Sequence, residues 1–569
     1  MHTGTQFVQI MENKNIGSFI ELIETAIKEY WDLDALTDYD GATLQYKDVA
    51  RKIEKLHILF SEAHVKKGDK IAICGRNSSQ WAAAYLGILT YGAVAVPILQ
   101  EFKPEQIYNI VNHSESKLLF VGDLIWPTID ANEMPDLEGI FGLPDYSLLV
   151  SRAETLTSAR ERLNEMFGHK FPKNFRKEHV SYRRDETEEL AMINYTSGTT
   201  SNSKGVMIPY RALWSNMDFA RSALHMCVHK GSKLVSILPM AHMYGMALEF
   251  LFEFISGAHV FFLMKNPSPT VIFNAFAKIK PDFIAAVPLI LEKALRYSIL
   301  PQLQTPQMRM LMRLPYVREK ICNIICNKMK KAFGGKFYEI MIGGAPLNKD
   351  IEELLHRIHF PYAIVYGATE CAPVICYADY SVLPKGSCGR VVKHMEVKID
   401  SPDPQHVVGE ILCRGINVML GYYKNPEATA LAIDKDGWYH TGDLAVIDEF
   451  GYIYIKGRSK NMLLGSSGQN IYPEEIEGKL NMLPLVEESV MIQKGNKFYA
   501  LVYPNQEGVK ERKLTPAQLK QVMEQNRRTL NGTLPMYSQI SGIKIVDKEF
   551  EKTPKRSIKR FLYANYDVN

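Results

Sequence analysis

The sequence predicts a layered α/β fold followed by a smaller α+β unit, and three observations carry that prediction. Helical and strand-like patterns alternate from about residue 17 to about residue 365. The texture changes to short strands and turns from about residue 385, and a compact stretch with its own hydrophobic strands follows Gly457-Arg458-Ser459-Lys460. Alternating strands and helices build a largely parallel sheet, because a parallel connection needs a helix to return the chain to the same edge. The helix Tyr46–Ala63 and the strands Lys70–Cys74, Lys117–Val121 and Leu234–Leu238 belong to this part. The short strands Glu396–Ile399, Gly409–Arg414, Leu444–Asp448 and Tyr452–Lys456 read as a small β-rich, barrel-like subdomain. Val490–Gln493 and Phe498–Tyr503 are the strands expected in the C-terminal unit. Thr157–Arg184 is polar, charged and weakly periodic, and reads as a surface insertion.

The composition is that of a globular protein: 569 residues, 46% hydrophobic and 23% charged, with a formal charge of +4. That charge is too small to argue for nucleic acid. The eight cysteines make no CxxC pair and no zinc-spaced cluster, so they read as reduced structural thiols of a cytoplasmic protein. The opening MHTGTQFVQIMENKN has no basic head leading into an apolar run, so no secretory signal is expected. Trp81–Leu99 is uncharged and nearly long enough to span a bilayer. Gly87, Gly92 and Pro97 interrupt it, which instead predicts a buried helix stopping near Gly92 and a buried strand after it. Leu248–Met264 carries Glu249, Glu253 and Gly257 and is not read as a span.

From Arg309 to Lys336 the chain is locally basic, with Arg309, Arg313, Arg318, Lys320, Lys328, Lys330, Lys331 and Lys336 against the single acid Glu319. Apolar residues are interspersed, which predicts an amphipathic helix pair with a solvated basic face. Peripheral docking to an anionic membrane, or to an acidic partner, is the sharper reading of the same segment.

The most informative run is Tyr195-Thr196-Ser197-Gly198-Thr199-Thr200-Ser201-Asn202-Ser203-Lys204-Gly205, which follows the strand-like Leu190–Ile193. Small hydroxylated residues around a glycine turn tightly and aim N–H and O–H donors at phosphate oxygens, and Lys204 adds positive charge. Such a loop suits a polyphosphate whose charge is held while a leaving group departs. It lacks the GxxxxGK[ST] spacing of a Walker loop.

This run resembles the phosphate loop of the adenylate-forming superfamily, which includes acyl-CoA synthetases, peptide-synthetase adenylation domains and beetle luciferases. Further motifs follow in the family's order: LPMAHMYG (238–245), GGAPL (343–347), YGATE (366–370), GWYHTGD (437–443) and KGRSKNMLLGSSGQNIYPEEIE (456–477). The resemblance covers nearly the whole chain. GDKIAICGRNSSQW (68–81), VPLILEK (287–293) and FEKTP (550–554) resemble the long-chain fatty acyl-CoA synthetase branch in particular. The fold so implied is a large adenylation domain over 1–457, a hinge at 458–460 and a mobile C-terminal lid domain over 461–569.

A carboxylate is a poor acyl donor, because its leaving group would be oxide. Attack on the α-phosphate of ATP expels diphosphate and leaves a mixed anhydride, from which a thiolate displaces AMP. Both steps develop charge on oxygens, so positioning and electrostatics carry them. The resemblance implies ATP, Mg2+ and coenzyme A as reactants and a medium- to long-chain fatty acid as the acid. It places Thr196 and Lys204 at the phosphates with Ser197, Gly198, Thr199 and Thr200, makes Glu370 the magnesium ligand, and sets Thr369 at the α-phosphate. Tyr366 and Gly367 face the adenine with Gly344, Ala345 and Pro346. Asp443 accepts the ribose hydroxyls with Arg458 as its partner, and His242 gates the passage to the acyl pocket, around which Met240, Met243, Tyr244 and Met246 are either lining or core. Lys460 is the hinge, and Gly468 lets the pantetheine arm approach.

One departure stands out. The family carries a lysine three residues after the proline near the C-terminus, whereas the run Lys552-Thr553-Pro554-Lys555-Arg556-Ser557-Ile558-Lys559 places Ser557 there. Strand alternation sets Lys555, Ser557 and Lys559 on one face and does not choose between the two lysines as its replacement. Two alternatives stand beside a CoA ligase: an enzyme loading the phosphopantetheine of a carrier protein, since the glycine-bearing stretch Gly465–Asn470 fits either thiol donor, and, from Ser557, a nucleotide- or acyl-binding protein with impaired adenylation.

Overall fold

The computed structural model describes residues 16–196, 203–264, 268–298, 303, 305–464, 469–553 and 558–567. At its centre is an eight-stranded sheet whose five middle strands, Leu190–Thr196, Val94–Ile98, Lys70–Cys74, Ser116–Val121 and Gly139–Gly142, run parallel in that spatial order. Antiparallel strands close both edges: Leu148–Ser151 on one side, Lys204–Pro209 and Gly421–Tyr422 on the other. A second sheet holds Lys233–Ser236 and His259–Phe262 beside Asp34–Asp38 and Thr43–Gln45. A third is a parallel trio, Ile284–Ala286, Ile340–Ile342 and Tyr362–Ile364.

The uncharged run Trp81–Leu99 folds as the sequence predicts. The helix Ser79–Tyr91 starts where Ser78 accepts the Trp81 N–H (3.1 Å) and stops at Gly92, whose φ of 92° is left-handed and open to glycine. The strand Val94–Ile98 that follows is buried at every position. Among the described residues no helix is long and apolar enough to cross a membrane.

The strand expected over Leu234–Leu238 is Lys233–Ser236. It ends early because the N–H groups of Ile237 and Leu238 leave the ladder and donate to Glu249 Oε2 at 3.0 and 2.8 Å. Glu249 and Glu253, read in the sequence as charges that bar a membrane span, are both fully buried. Burial pushes both carboxyls well above their ordinary range, which favours their protonated forms.

The expected β-rich subdomain is a four-stranded antiparallel sheet of Met395–Asp400, Gly409–Gly415, Tyr439–Ile447 and Ile453–Arg458. The third strand begins five residues before the expected Leu444, so the HTGD run lies inside a strand and not in a turn. The C-terminal unit has a separate core around Ile476, Leu480, Met491, Val502 and Met523. Its sheet is the hairpin Val486–Lys494 and Lys497–Pro504 with Ile540–Ile545 added in parallel. The polar stretch Thr157–Arg184 carries two short helices, Glu154–Glu161 and Leu163–Lys170, and is tied down by Lys170–Glu54 (2.8 Å) and Arg184–Glu24 (2.8 Å).

Candidate active site

The cleft is assembled from strand ends and from one antiparallel register. At the edge of the central sheet Thr196 pairs with Lys204, so the phosphate-loop run joins two adjacent strands. Ser197, Gly198, Thr199 and Thr200 lie outside the described residues. Gly421–Tyr422 adds to the outer side of Lys204–Pro209, with Tyr422 opposite Val206. That register carries the Tyr422 ring under Lys204, whose Nζ stands 4.7 Å from the ring centre, a cation–π distance. The same tyrosine donates its hydroxyl to Glu370 Oε1 at 3.0 Å.

Glu370 and Thr369 form a short turn directly after Tyr366-Gly367, at the C-terminal end of the parallel trio. Gly367 is held tightly, since a Cβ there would stand 2.1 Å from the Pro373 carbonyl oxygen. Gly343-Gly344 ends the neighbouring strand of the trio: Gly343 N–H donates to the Ala286 carbonyl and Val365 N–H to the Ile342 carbonyl. GGAPL and YGATE, which the sequence separates by more than a helix, therefore open side by side. Gly344 has a φ of 81°, where a side chain would be strained.

Tyr366 is buried and donates its hydroxyl to Asp443 Oδ2 at 2.7 Å. Asp443 lies directly opposite Arg458 in the antiparallel register, and Arg458 Nε reaches Asp443 Oδ1 at 3.0 Å. Asp443 is 9% exposed and Arg458 69% exposed, so a buried carboxylate meets a cation that stands in the cleft. Burial raises the Asp443 carboxyl above its ordinary range although the guanidinium and the Tyr366 hydroxyl oppose that shift. Asp443 raises the Arg458 guanidinium in turn.

His242 caps the turn Met243–Gly245, where its Nδ1 accepts the Tyr244 N–H at 3.2 Å. The turn is held from three sides. Asn194, on the strand leading to the phosphate loop, donates to the Ala241 carbonyl (2.9 Å). Asn77 accepts the Met240 N–H (2.8 Å) and donates to the Leu238 carbonyl (2.6 Å). Tyr244 donates to the carbonyl of Met341 (2.9 Å), two residues before Gly343. Met240, Met243, Tyr244 and Met246 are all buried.

On the C-terminal side, Lys460 lies exposed in the short turn Ser459–Asn461. Lys559 pairs with Glu551 at 2.9 Å, and Arg560 pairs with Glu477 through Nη1 at 2.6 Å. Gly468, Lys555 and Ser557 lie outside the described residues. The helix Pro473–Leu480 docks on the larger domain beyond Gly344-Ala345-Pro346, where Asn348 donates to the Gly478 carbonyl and Lys349 pairs with Glu475 at 2.7 Å.

Lys204, Tyr422 and Glu370 thus make one contact series and Tyr366, Asp443 and Arg458 a second, and the short segment from Tyr366 to Glu370 joins the two along the chain. The sequence reading missed Tyr422 and the two asparagines. Asn77 sits in a run singled out only for its resemblance. Tyr422 carries no local signal at all, because its meaning comes from pairing with a strand more than two hundred residues earlier.

Layered α/β sheets, a β-rich subdomain and a separate α+β C-terminal domain define an adenylate-forming fold. Residues 23–423 match the AMP-binding enzyme family and residues 460–567 the AMP-binding enzyme C-terminal domain, and the chain belongs to this family. It is 25% identical over 519 residues to a long-chain-fatty-acid–CoA ligase of Rattus norvegicus, covering 85% of this chain and 76% of the relative. It is 26% identical over 499 residues to a long-chain-fatty-acid–CoA ligase of Escherichia coli O157:H7, covering 83% and 82%. An anthranilate CoA ligase in complex with anthranoyl-AMP superimposes with a TM-score of 0.76 at 18% identity, over 97% of this chain and 98% of that one. An O-succinylbenzoate coenzyme A synthetase from Bacillus subtilis, in complex with ATP and magnesium ion, does so with 0.70 at 19%, over 95% and 98%. These likenesses show the fold.

Proposed function

We propose that the chain is an ATP-dependent acid–thiol ligase that joins a medium- to long-chain fatty acid to coenzyme A. The carboxylate attacks the α-phosphorus of ATP and diphosphate leaves. The thiolate then attacks the acyl carbon and AMP leaves. The observation that carries this reading is the pair of contact series Lys204–Tyr422–Glu370 and Tyr366–Asp443–Arg458, joined by the short segment from Tyr366 to Glu370, which offers a cation and an acid for a triphosphate and its metal and a buried carboxylate for a ribose. The fatty acid is supported by the names of the relatives. The solved neighbours include ligases of aryl acids, so the acid is the part of the proposal that assay must decide.

Among the described residues no group of three or more His, Cys, Asp or Glu is arranged to hold a metal ion. A lone carboxylate, Glu370, fits Mg2+ that arrives with ATP and keeps phosphate and water ligands. Bound there, the ion would neutralise charge on the phosphates. In this reading Tyr422 fixes the Glu370 carboxylate, Thr369 and the loop 196–200 hold the α- and β-phosphates, and Asp443 takes the ribose hydroxyls. Gly344-Ala345-Pro346 and Tyr366-Gly367 enclose the adenine, and His242 stands at the entrance to the acyl pocket. The domains divide at 458–460, with Lys460 as the hinge that brings Gly468 to the thiol in the second half-reaction. A cytoplasmic location fits the eight buried, unbridged cysteines.

Acid-dependent exchange of diphosphate into ATP, run over a series of fatty and aryl acids with and without CoA, tests the proposal. Exchange with fatty acids and CoA-dependent thioester formation is the expected result, and silence with every acid ends it. Ser557 favours one second reading, ATP binding without acid-dependent diphosphate release. Direct competition between CoA and a holo-carrier protein separates the two thiol acceptors.

A further inference from the structure

The basic segment forms the helices Pro306–Leu311 and Pro315–Ala332. The longer helix buries one side only, through Cys322, Cys326 and Met329. On its other side Tyr316, Lys320, Ile324 and Lys328 follow at four-residue steps and make one stripe, apolar and basic in alternation. Tyr316 is 70% and Ile324 66% exposed, and Lys320 Nζ stands 4.5 Å from the Tyr316 ring centre. The stripe continues into the preceding turn, where Met310 (73%) and Leu314 (54%) flank exposed Arg313. Scattered exposed apolar residues are ordinary. These four lie within one basic segment, in which Glu319 is the single acid, whereas Phe450, exposed elsewhere, follows the acids Asp448 and Glu449.

We infer that this two-helix face docks on an anionic lipid bilayer. Lysine and arginine there meet lipid phosphates while Met310, Leu314, Tyr316 and Ile324 enter the headgroup–acyl boundary, so one planar partner satisfies both kinds of side chain. An acidic protein is the poorer match, because protein interface cores are depleted of lysine and here lysines alternate with the apolar residues. The inference goes beyond the ligase reading and does not depend on which acid the site activates.

The test is flotation of the full chain with phosphatidylcholine vesicles, with and without about a third phosphatidylglycerol, at low and raised salt. Binding to the anionic vesicles alone, weakened by salt, is expected. The triple variant Arg313→Glu, Lys320→Glu, Lys328→Glu should lower the partition coefficient by roughly a hundredfold, at about fivefold for each base lost. Tyr316→Ser with Ile324→Ser should lower it by roughly tenfold while the salt dependence persists. Melting temperature and exchange with a water-soluble acid serve as controls, and should either variant fold poorly, Lys328→Glu and Ile324→Ser singly take its place. Equal binding to neutral vesicles, or anionic binding untouched by the substitutions, overturns the inference. Binding to polyglutamate without binding to vesicles also overturns it and points to an acidic protein.

Discussion

At the proposed nucleoside end, Tyr366 and Asp443 belong to the larger domain and are buried, and Arg458, the first residue of the proposed hinge segment 458–460, is held opposite Asp443 by strand register. At the activating end, the lysines that would approach the same nucleotide ride on the smaller domain, which meets the larger one through contacts such as the Lys349–Glu475 pair and the packing of Met482. In the proposed two-step reaction that difference would follow from timing. A group needed in both half-reactions gains from being buried and preorganised, whereas a group needed in one must be able to leave. In the proposed reaction Lys559 would be a group of the second kind, and its ammonium rests on Glu551 of its own domain.

Substitutions sharpen that contrast. The largest effect is expected at Glu370, where Glu370→Gln should lower acid-dependent diphosphate exchange by roughly a thousandfold. A loss below about tenfold would move the metal-binding role elsewhere. Gly468→Leu should leave exchange intact and slow thioester formation by roughly a hundredfold, measured as acyl-CoA release after preloading with acid and ATP. Equal losses in both steps would remove the glycine from the thiol path. Asp443→Ala leaves the Tyr366 hydroxyl and Arg458 without their shared acceptor and should reduce kcat/KM for ATP by roughly thirtyfold; Tyr366→Phe, which deletes one hydrogen bond, should reduce it by about fivefold. The smallest effect is expected from Lys559→Ala, under about threefold in exchange, since the ammonium is already engaged in a part-exposed pair. A larger loss there than from Lys555→Ala would make Lys559 the replacement for the lysine absent at Ser557.

Much of the scaffold was legible beforehand. Gly92 and Pro97 marked an uncharged run as a helix and a strand, and apolar residues interspersed among the basic ones marked the stretch after residue 305 as a helix pair. The strand around HTGD was legible only in part: its expected start is Leu444, yet it begins at Tyr439 and includes Asp443, with Arg458 opposite it. Glu249 was legible only as a charge. Its role as a buried acceptor that stops a strand and shapes the turn before His242 depends on packing.

By itself the sequence determined the alternation of elements and the chemistry available to the cleft: hydroxyls and a lysine around Gly198, an acid at 370, an aspartate at 443. These are local patterns, set by side-chain period, turn residues and charge. Only the tertiary structure decided which of them meet. Tyr422 joins Lys204 to Glu370, and Tyr366 joins the Glu370 turn to Asp443, because strand register and close packing, unlike periodicity, relate residues that lie far apart in the chain.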